Sequence, residues 1–349
     1  MSTTRETFKH AAVYSFSAVL GRMISFFMLP FYAHILRDLG YGVIGMIDAC
    51  LSLLMSLFSY GVRGSITRFY HDEEEPRKNL VVSTAVILYG AVSLAIVLFL
   101  MLLSRPLSQL LLGEVAHWKL ICLAMLTFNF EITGQAASAI LLIRRRSLAF
   151  SLVSLFRLFL GLSLNIYLVI ILRWGLLGYF LGSLITALAS AIWFYAIAFR
   201  ECGVGFDREI ARKLIAFQAP LIPGSLAAFF SRQIERVIIR FQIGLDAVGV
   251  LEMGYKFPAL LGMLISEPFM RSWNTKRTEI APRPEAPRQI GQVFTHYLFL
   301  MVFAGLLMAV CIEDVLQILT PPEFWFAHRI ARLEIVTFIL AGAAFHLGF

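Results

Sequence analysis

The chain has 349 residues, of which 59% are hydrophobic and 15% are charged, and its formal net charge is +8. Soluble domains average about 25% charged and 45–50% apolar residues, so this chain is poorer in charge and richer in apolar residues than a soluble domain. Together with a mean hydropathy of +0.79, this composition excludes a soluble fold and indicates a polytopic membrane protein. The basic residues are dispersed among short loops, so no nucleic-acid partner is predicted. The four cysteines lack paired spacing, and we predict no metal site and no cofactor.

Apolar stretches of about 20 residues, bounded by Gly, Pro and charged residues, predict about ten transmembrane helices and therefore an all-α fold in a lipid bilayer. In chain order, the predicted spans are residues 11–36, 41–63, 79–103, 117–143, 148–172, 176–199, 214–243, 247–271, 290–313 and 328–349. Lys and Arg are concentrated in the connections on the side of the N-terminus, which predicts that the N-terminus is cytoplasmic.

An internal repeat relates the two halves of the chain. A shift of 207 residues places GVIGM (42–46) over GVLEM (249–253) and the second span over the eighth. This even offset predicts two parallel-repeat lobes around an axis along the membrane normal, as in many transporters. We predict a six-helix N-terminal lobe over 1–199, a cytoplasmic linker over 200–213 and a C-terminal lobe over 214–349. Because this lobe holds four helices and ends in an apolar run, we expect it to be incomplete and full-length relatives to have 12 or more helices.

Two sequence blocks resemble a known family. They are GRMISFFMLPFYAHILRDLGYGVIGMIDACLSLLMSLFSYGVRGSITRFY (21–70) and FQAPLIPGSLAAFFSRQIERVIIRFQIGLDAVGVLEMGYKF (217–257). They are similar to the starts of the two lobes in the polysaccharide transporter branch of the multidrug/oligosaccharidyl-lipid/polysaccharide exporter superfamily. This chain has Glu235-Arg236 where Asp-Arg is usual. The resemblance implies an O-antigen or capsule flippase of a bacterial inner membrane.

The predicted spans contain several arginines, and an arginine at mid-depth costs about 2.5–3.5 kcal/mol on insertion scales. Arg232 and Arg236 are four residues apart on the seventh span and share one helix face. Each of these arginines could contact the substrate or form an ion pair within the protein. For Arg232 the predicted partner of such a pair is Glu235, at i, i+3. Arg22 and Arg157 have no acidic neighbour on their own helices. Guanidinium groups bind phosphate oxygens in pairs, so the predicted substrate-binding residues are Arg22, Arg157, Arg232 and Arg236.

Further intramembrane residues are candidates for ion coupling or for simple charge pairing: Asp48, Glu131, Glu235, Glu252 and Lys256. Glu252 and Lys256 are at i, i+4, so mutual neutralisation is their default interpretation. Arg63 is a candidate for guarding the mouth of a cavity. Helix-bending elements suited to alternating access are expected at Gly21, Pro30, Pro220, Pro223 and Gly224.

The predicted function is therefore translocation of a polyprenyl-diphosphate oligosaccharide, for surface polysaccharide synthesis, by a protein that is not an enzyme. A polysaccharide polymerase and glycosyltransferases are the partners implied by the resemblance. Three alternatives remain open, one of which is a non-transporting scaffold. A cation-coupled drug exporter of the same superfamily should have acidic and aromatic residues in its cavity, and a membrane polymerase or ligase should have a sizeable outer loop with catalytic residues.

Overall fold

The computed structural model describes residues 28–74, 77–280, 282 and 284–347, and all regular structure among them is helical. The helices are α1 (Leu29–Asp72), α2 (Arg77–Leu102), α3 (Ser104–Leu112), α4 (Trp118–Ile143), α5 (Ser147–Asn165), α6 (Gly175–Cys202), α7 (Arg208–Gln218), α8 (Ile222–Gln242), α9 (Leu245–Lys256), α10 (Pro258–Leu261), α11 (Glu267–Ile280), α12 (Ala286–Leu319) and α13 (Ala327–Leu347). Eight helical segments of this described part are long and apolar enough to cross a membrane. The prediction of an all-α polytopic membrane protein is confirmed.

The helix boundaries follow the predicted spans closely from the third to the sixth span, and in the fifth span α5 continues as a π-helical segment over Ile166–Ile171. Helix α1 contains the described part of the first span and all of the second, and it is broken at Arg37, whose φ of 58° and ψ of −177° are not helical. It continues to Asp72, beyond the predicted end at residue 63. Apolar side chains mark the depth of the membrane, whereas backbone hydrogen bonds let a helix continue into polar surroundings, so hydropathy underestimates its length.

The seventh predicted span is divided in the structure. Helix α7 begins before the predicted span, at Arg208, and ends within it at Gln218, where the 3-10 turn Ala219–Leu221 joins it to α8. The side chain of Asp207 caps α7 by accepting hydrogen bonds from the backbone N–H groups of Glu209 at 2.8 Å and Ile210 at 3.2 Å. Arg77 also donates to this carboxylate at 3.1 Å. The hydrogen bond from Ile210, with those from Glu209 and Arg77, holds the pKa of Asp207 below its usual value.

The chain divides into two compact units. Among the described residues, unit 1 contains 43–74 and 77–244, and unit 2 contains 28–42, 245–280, 282 and 284–347. These units are defined by packing, whereas the lobes over 1–199 and 214–349 were inferred from a sequence repeat. The lobe boundaries and the linker over 200–213 stay predictions.

Helix α4 supplies much of the core of unit 1. It carries small buried residues such as Ala136 and Ala137, and small residues allow helices in membranes to approach closely. Polar bonds between helices accompany this packing. Asn129 of α4 donates to the Ser93 hydroxyl of α2 at 2.7 Å.

Unit 2 contains a close crossing of two helices at glycines. A Cβ atom on Gly42 would lie 2.6 Å from the carbonyl carbon of Leu245, and one on Gly249 would lie 2.8 Å from that of Asp38. The two contacts are reciprocal, because the 207-residue shift that relates Gly42 to Gly249 also relates Asp38 to Leu245. Reciprocal contacts of this kind are what a two-fold axis produces, so the repeat seen in sequence has a structural counterpart here.

Candidate functional site

A cavity of about 120 Å³ lies in unit 1 between α1, α4, α5 and α6. Three ionisable side chains from three helices line it: Arg63 of α1, Glu131 of α4 and Arg157 of α5. Glu131, Gln135 and Ser138 are spaced at i, i+4 and i+7, which places them on one face of α4. The cavity is therefore a polar site within an apolar helical unit.

Arg157 and Glu131 form a bidentate ion pair in this cavity. Nη1 of Arg157 donates to Oε2 of Glu131 at 2.9 Å, and Nη2 donates to Oε1. Bidentate hydrogen bonds between a guanidinium and a carboxylate are strong, and they fix the orientation of both side chains. Arg63 has no carboxylate within 4.0 Å among the residues that the structure describes. The cavity thus contains one neutralised pair and one uncompensated guanidinium.

The remaining lining combines hydroxyl groups, an amide and aromatic rings. The Ser138, Ser154 and Ser190 hydroxyls donate to carbonyl groups of their own helices at 2.9, 2.9 and 3.0 Å. Phe150 and Phe194 have ring centroids 6.0 Å apart. The other lining residues are Phe130, Gly134 and Gln135.

Helix α8 carries Arg232 and Arg236, which were predicted to share one helix face, and Ser225 is its only buried residue. The side chain of Arg232 is exposed and, within the described ranges, has no carboxylate within 4.0 Å. Arg236 is only 14% exposed, lies 3.8 Å from Glu235 and donates to the Arg232 carbonyl at 3.0 Å. The ion pair of Glu235 is therefore with Arg236, one position away, and not with Arg232.

One turn further along α8, Arg240 connects two helices of unit 1. Its Nε donates to the carbonyl of Leu111 at 2.6 Å, in the last turn of the short helix α3. Gly113, with φ of 80°, caps the same helix. Carbonyl groups at a helix end have no partner within the helix, so Arg240 satisfies one of them.

The predicted bending elements lie at helix starts. Pro220 is in the 3-10 turn between α7 and α8, and Pro223 is the second residue of α8. Gly224 faces open space, because a Cβ atom added there would meet no other described segment of the chain within 4 Å. Pro30 is the second residue of α1, and Gly21 lies outside the described residues. Their role as hinges stays a prediction.

The other predicted site residues are distributed over both units. Asp48 is exposed on α1 in unit 1. In unit 2, Nζ of Lys256 lies 4.4 Å from the ring centroid of Tyr41, and pairing of Lys256 with Glu252 stays a prediction. Arg22 lies outside the described residues. The described part of the chain has no group of His, Cys, Asp and Glu suited to a metal ion.

Sequence reasoning weighed the charged residues of the unit 1 cavity but missed its uncharged ones. Gln135, Ser138 and Phe194 were not singled out, although the spacing of Glu131 and Gln135 on α4 was a usable signal. Uncharged polar residues are common on packed helix faces in membranes, and their partners on α5 and α6 are distant in sequence. Only the packing of these helices reveals the shared cavity.

The comparisons with known proteins agree on one superfamily. A Vibrio cholerae MATE transporter has a TM-score of 0.61 at 15% identity, with coverage of 99% of this chain and 84% of that one. A MATE structure in the straight conformation gives 0.63 at 12% identity and covers 98% and 82%. A MOP-superfamily transporter from Pyrococcus furiosus, whose binding pocket has reverse polarity, gives 0.60 at 13% identity and covers 97% and 82%.

At these identities the structures establish a shared fold. No curated protein matched the chain. The family model described as polysaccharide biosynthesis protein matches residues 7–273, which is most of the chain. The chain therefore belongs to the polysaccharide biosynthesis protein family, the polysaccharide transporter branch of the multidrug/oligosaccharidyl-lipid/polysaccharide exporter superfamily.

Proposed function

We propose that this protein moves a polyprenyl-diphosphate-linked oligosaccharide across a bacterial inner membrane for the synthesis of a surface polysaccharide. The diphosphate and sugars enter a water-filled cavity while the polyprenyl tail stays in lipid. Alternating access then exposes the headgroup on the opposite side. Glycosyltransferases act before this step and a polysaccharide polymerase acts after it, and the protein itself is not an enzyme.

The observation that carries this proposal is the exposure of Arg232 and the absence of a neighbouring carboxylate in the described part of the chain. It lies on an apolar helix, is exposed, and has no carboxylate within 4.0 Å among the described residues. Ionisable groups in membrane spans mark substrate or ion paths, and a cation without a protein partner suits an anionic ligand. Guanidinium groups bind phosphate oxygens bidentately. A lipid diphosphate supplies both the negative charge and the lipid anchor.

A drug exporter of the same superfamily is the second candidate, because the fold is shared with MATE transporters. A cavity for cationic drugs should carry net negative charge. In the described cavity of unit 1, the one carboxylate is neutralised by Arg157 and Arg63 remains cationic. The cavity therefore has aromatic rings, as a drug exporter should, but its carboxylate is not free, and this charge balance argues against a cationic substrate.

The connection between α7 and α8 suits the conformational change that alternating access requires. Helix α8 has one buried residue, so few side chains resist its displacement. It is joined to α7 through the 3-10 turn with Pro220, where the proline removes a backbone donor. We infer that bending at this turn moves the arginines of α8 relative to the rest of unit 1 during transport.

The test is complementation of a deletion strain with wild type, Arg232→Ala or Arg212→Ala. Arg212 is exposed on α7, so its variant makes the same change in charge outside α8. We expect Arg232→Ala to lower surface polymer about tenfold or more, because hydrogen bonds to charged groups contribute about 1.5–3 kcal/mol. Complete lipid-linked repeat units should then persist on the cytoplasmic side, while Arg212→Ala behaves as wild type.

Two outcomes overturn the proposal. If translocated repeat units accumulate unpolymerised on the far side of the membrane in the deletion strain, the missing step is polymerisation. If surface polymer is normal but the strain becomes sensitive to cationic drugs, the drug-exporter function takes its place. Protein levels of each variant in the membrane are measured by immunoblot in parallel.

A further inference from the structure

We propose that the cavity of unit 1 between α1, α4, α5 and α6 is a sugar-binding subsite that holds one pyranose ring of the transported oligosaccharide. This inference rests on the proposed function, since it names what the headgroup contacts beyond the diphosphate. It assigns the sugar to a cavity in unit 1 that Arg232 of α8 does not line.

The size of the cavity suits one ring. Its volume is about 120 Å³. A water molecule takes about 30 Å³ in the liquid, so the space holds roughly four water molecules at liquid density and admits at most one pyranose ring. A complete repeat unit of several sugars does not fit, so only one ring enters while the others remain in bulk water.

The two kinds of lining match the two kinds of surface on a pyranose. Phe130, Phe150 and Phe194 supply aromatic surface, against which the C–H face of a sugar ring packs. Glu131 and Gln135, from one face of α4, supply polar groups at hydrogen-bonding positions. Binding sites of this type combine apolar walls with a few oriented polar groups. A lipid tail would leave the polar groups without partners, and a phosphate would gain nothing from the rings.

The polar groups offer both donors and acceptors, as sugar hydroxyls require. The bidentate pair fixes Arg157 and Glu131 in one orientation, while each keeps further N–H groups or lone pairs for a ligand. Ser154 and Ser190 donate to their own helices, so their oxygens remain acceptors. The side-chain amide of Gln135 has no hydrogen-bond partner in the described part of the chain and supplies two donors and an acceptor.

A paired Arg157 and Glu131 is also better suited to a neutral polyol than to an ion. The carboxylate is neutralised by the guanidinium at 2.9 Å, so a cationic ligand finds no free negative charge there. A vicinal diol can instead accept from the guanidinium and donate to the carboxylate at the same time. The pair itself therefore adds no net charge to the cavity, whose one uncompensated guanidinium, among the described residues, is that of Arg63.

The experiment compares two lipids bound to the purified protein in nanodiscs: undecaprenyl diphosphate without sugar, and the host's own glycosylated undecaprenyl diphosphate. We expect wild type to bind the glycosylated lipid more tightly. Gln135→Leu should reduce that preference about tenfold, because a sugar hydroxyl loses its partner. The matched control is Gln109→Leu, which makes the same change on the exposed face of α3 and should keep the preference.

Arg232→Ala separates this inference from the proposed function. It should weaken both lipids equally and leave the preference for sugar unchanged. If wild type has no preference for the glycosylated lipid, or if Gln135→Leu keeps it, the sugar subsite is refuted while the diphosphate site stands. Ser154→Ala, a smaller change, serves as the second variant should Gln135→Leu fail to fold.

The opposite failure is also distinguishable. The soluble repeat-unit oligosaccharide, released from the host polymer, is tested by saturation-transfer NMR against wild type and Ser154→Ala. If wild type fails to bind undecaprenyl diphosphate but transfers saturation to the oligosaccharide, and Ser154→Ala reduces that transfer, the sugar subsite stands and the diphosphate site falls. Equal transfer in both proteins argues against the subsite.

Discussion

Replacement of Gly42 by alanine would place a methyl group 2.6 Å from the carbonyl carbon of Leu245 and nearer still to its oxygen. Non-bonded carbon atoms pack at about 3.5–4.0 Å, so the two backbone segments must separate by roughly 1 Å. No rotamer change relieves the clash, because the obstacle is backbone. Overpacking costs about 1–3 kcal/mol and alanine returns about 1 kcal/mol of helix propensity. With the cost at its upper end, we expect a net destabilisation of about 2 kcal/mol.

The assay is thermal unfolding of the detergent-purified protein, followed by the monodisperse fraction on size-exclusion chromatography. Gly42→Ala should lower the apparent Tm by about 4 °C, and Gly249→Ala should do the same. Gly291→Ala is the matched control, because a Cβ on this helical glycine of α12 meets nothing within 4 Å. Equal apparent Tm values for Gly42→Ala and Gly291→Ala would refute the reasoning. The double variant should cost less than the sum, since one separation accommodates both methyl groups.

Two further predictions concern unit 1. The pKa of Asp207 is lowered in the folded protein, so the ionised carboxylate stabilises the folded state. This contribution is complete above the ordinary pKa of an aspartate, about 4, and is lost as the pH falls through the lowered pKa. Asp207→Asn should therefore flatten the decline of apparent Tm below about pH 4, and an unchanged profile contradicts this. Arg240→Ala should accelerate amide hydrogen exchange across residues 104–113, because the Leu111 carbonyl loses its donor. Unchanged exchange there would show that α3 is stable without it.

The helices were largely predictable from sequence because the membrane imposes length and hydropathy on each span. The break at Arg37 falls in the short connection predicted between the first two spans. Bending near Ala219–Leu221 was predicted from Pro220 and Pro223, but the separate helix α7 was not predicted. The residues of α7 are amphipathic, so a hydropathy window excludes part of them and merges the rest with α8.

The site was predictable only in part. Charge is costly in a membrane, so arginines such as Arg157 and Arg232 are conspicuous in an apolar sequence. Their partners are not, because Glu131 is on a different helix from Arg157 and nothing local in the sequence joins them. Local spacing suggested Glu235 as the partner of Arg232, whereas the structure places Glu235 3.8 Å from Arg236. Residues one and three positions apart are both within reach of a long side chain, and rotamers decide between them.

The crossing of Gly42 and Gly249 has a consequence for how such a chain can arise. Two copies of one half-length ancestor would meet in the same reciprocal way across a two-fold axis. Without side chains at the crossing, such a contact has little apolar surface with which to hold separate molecules together. Joining the copies in one polypeptide makes their encounter intramolecular, which raises the effective concentration without any new contact. A small glycine contact is therefore sufficient once both copies of the repeat are in one chain.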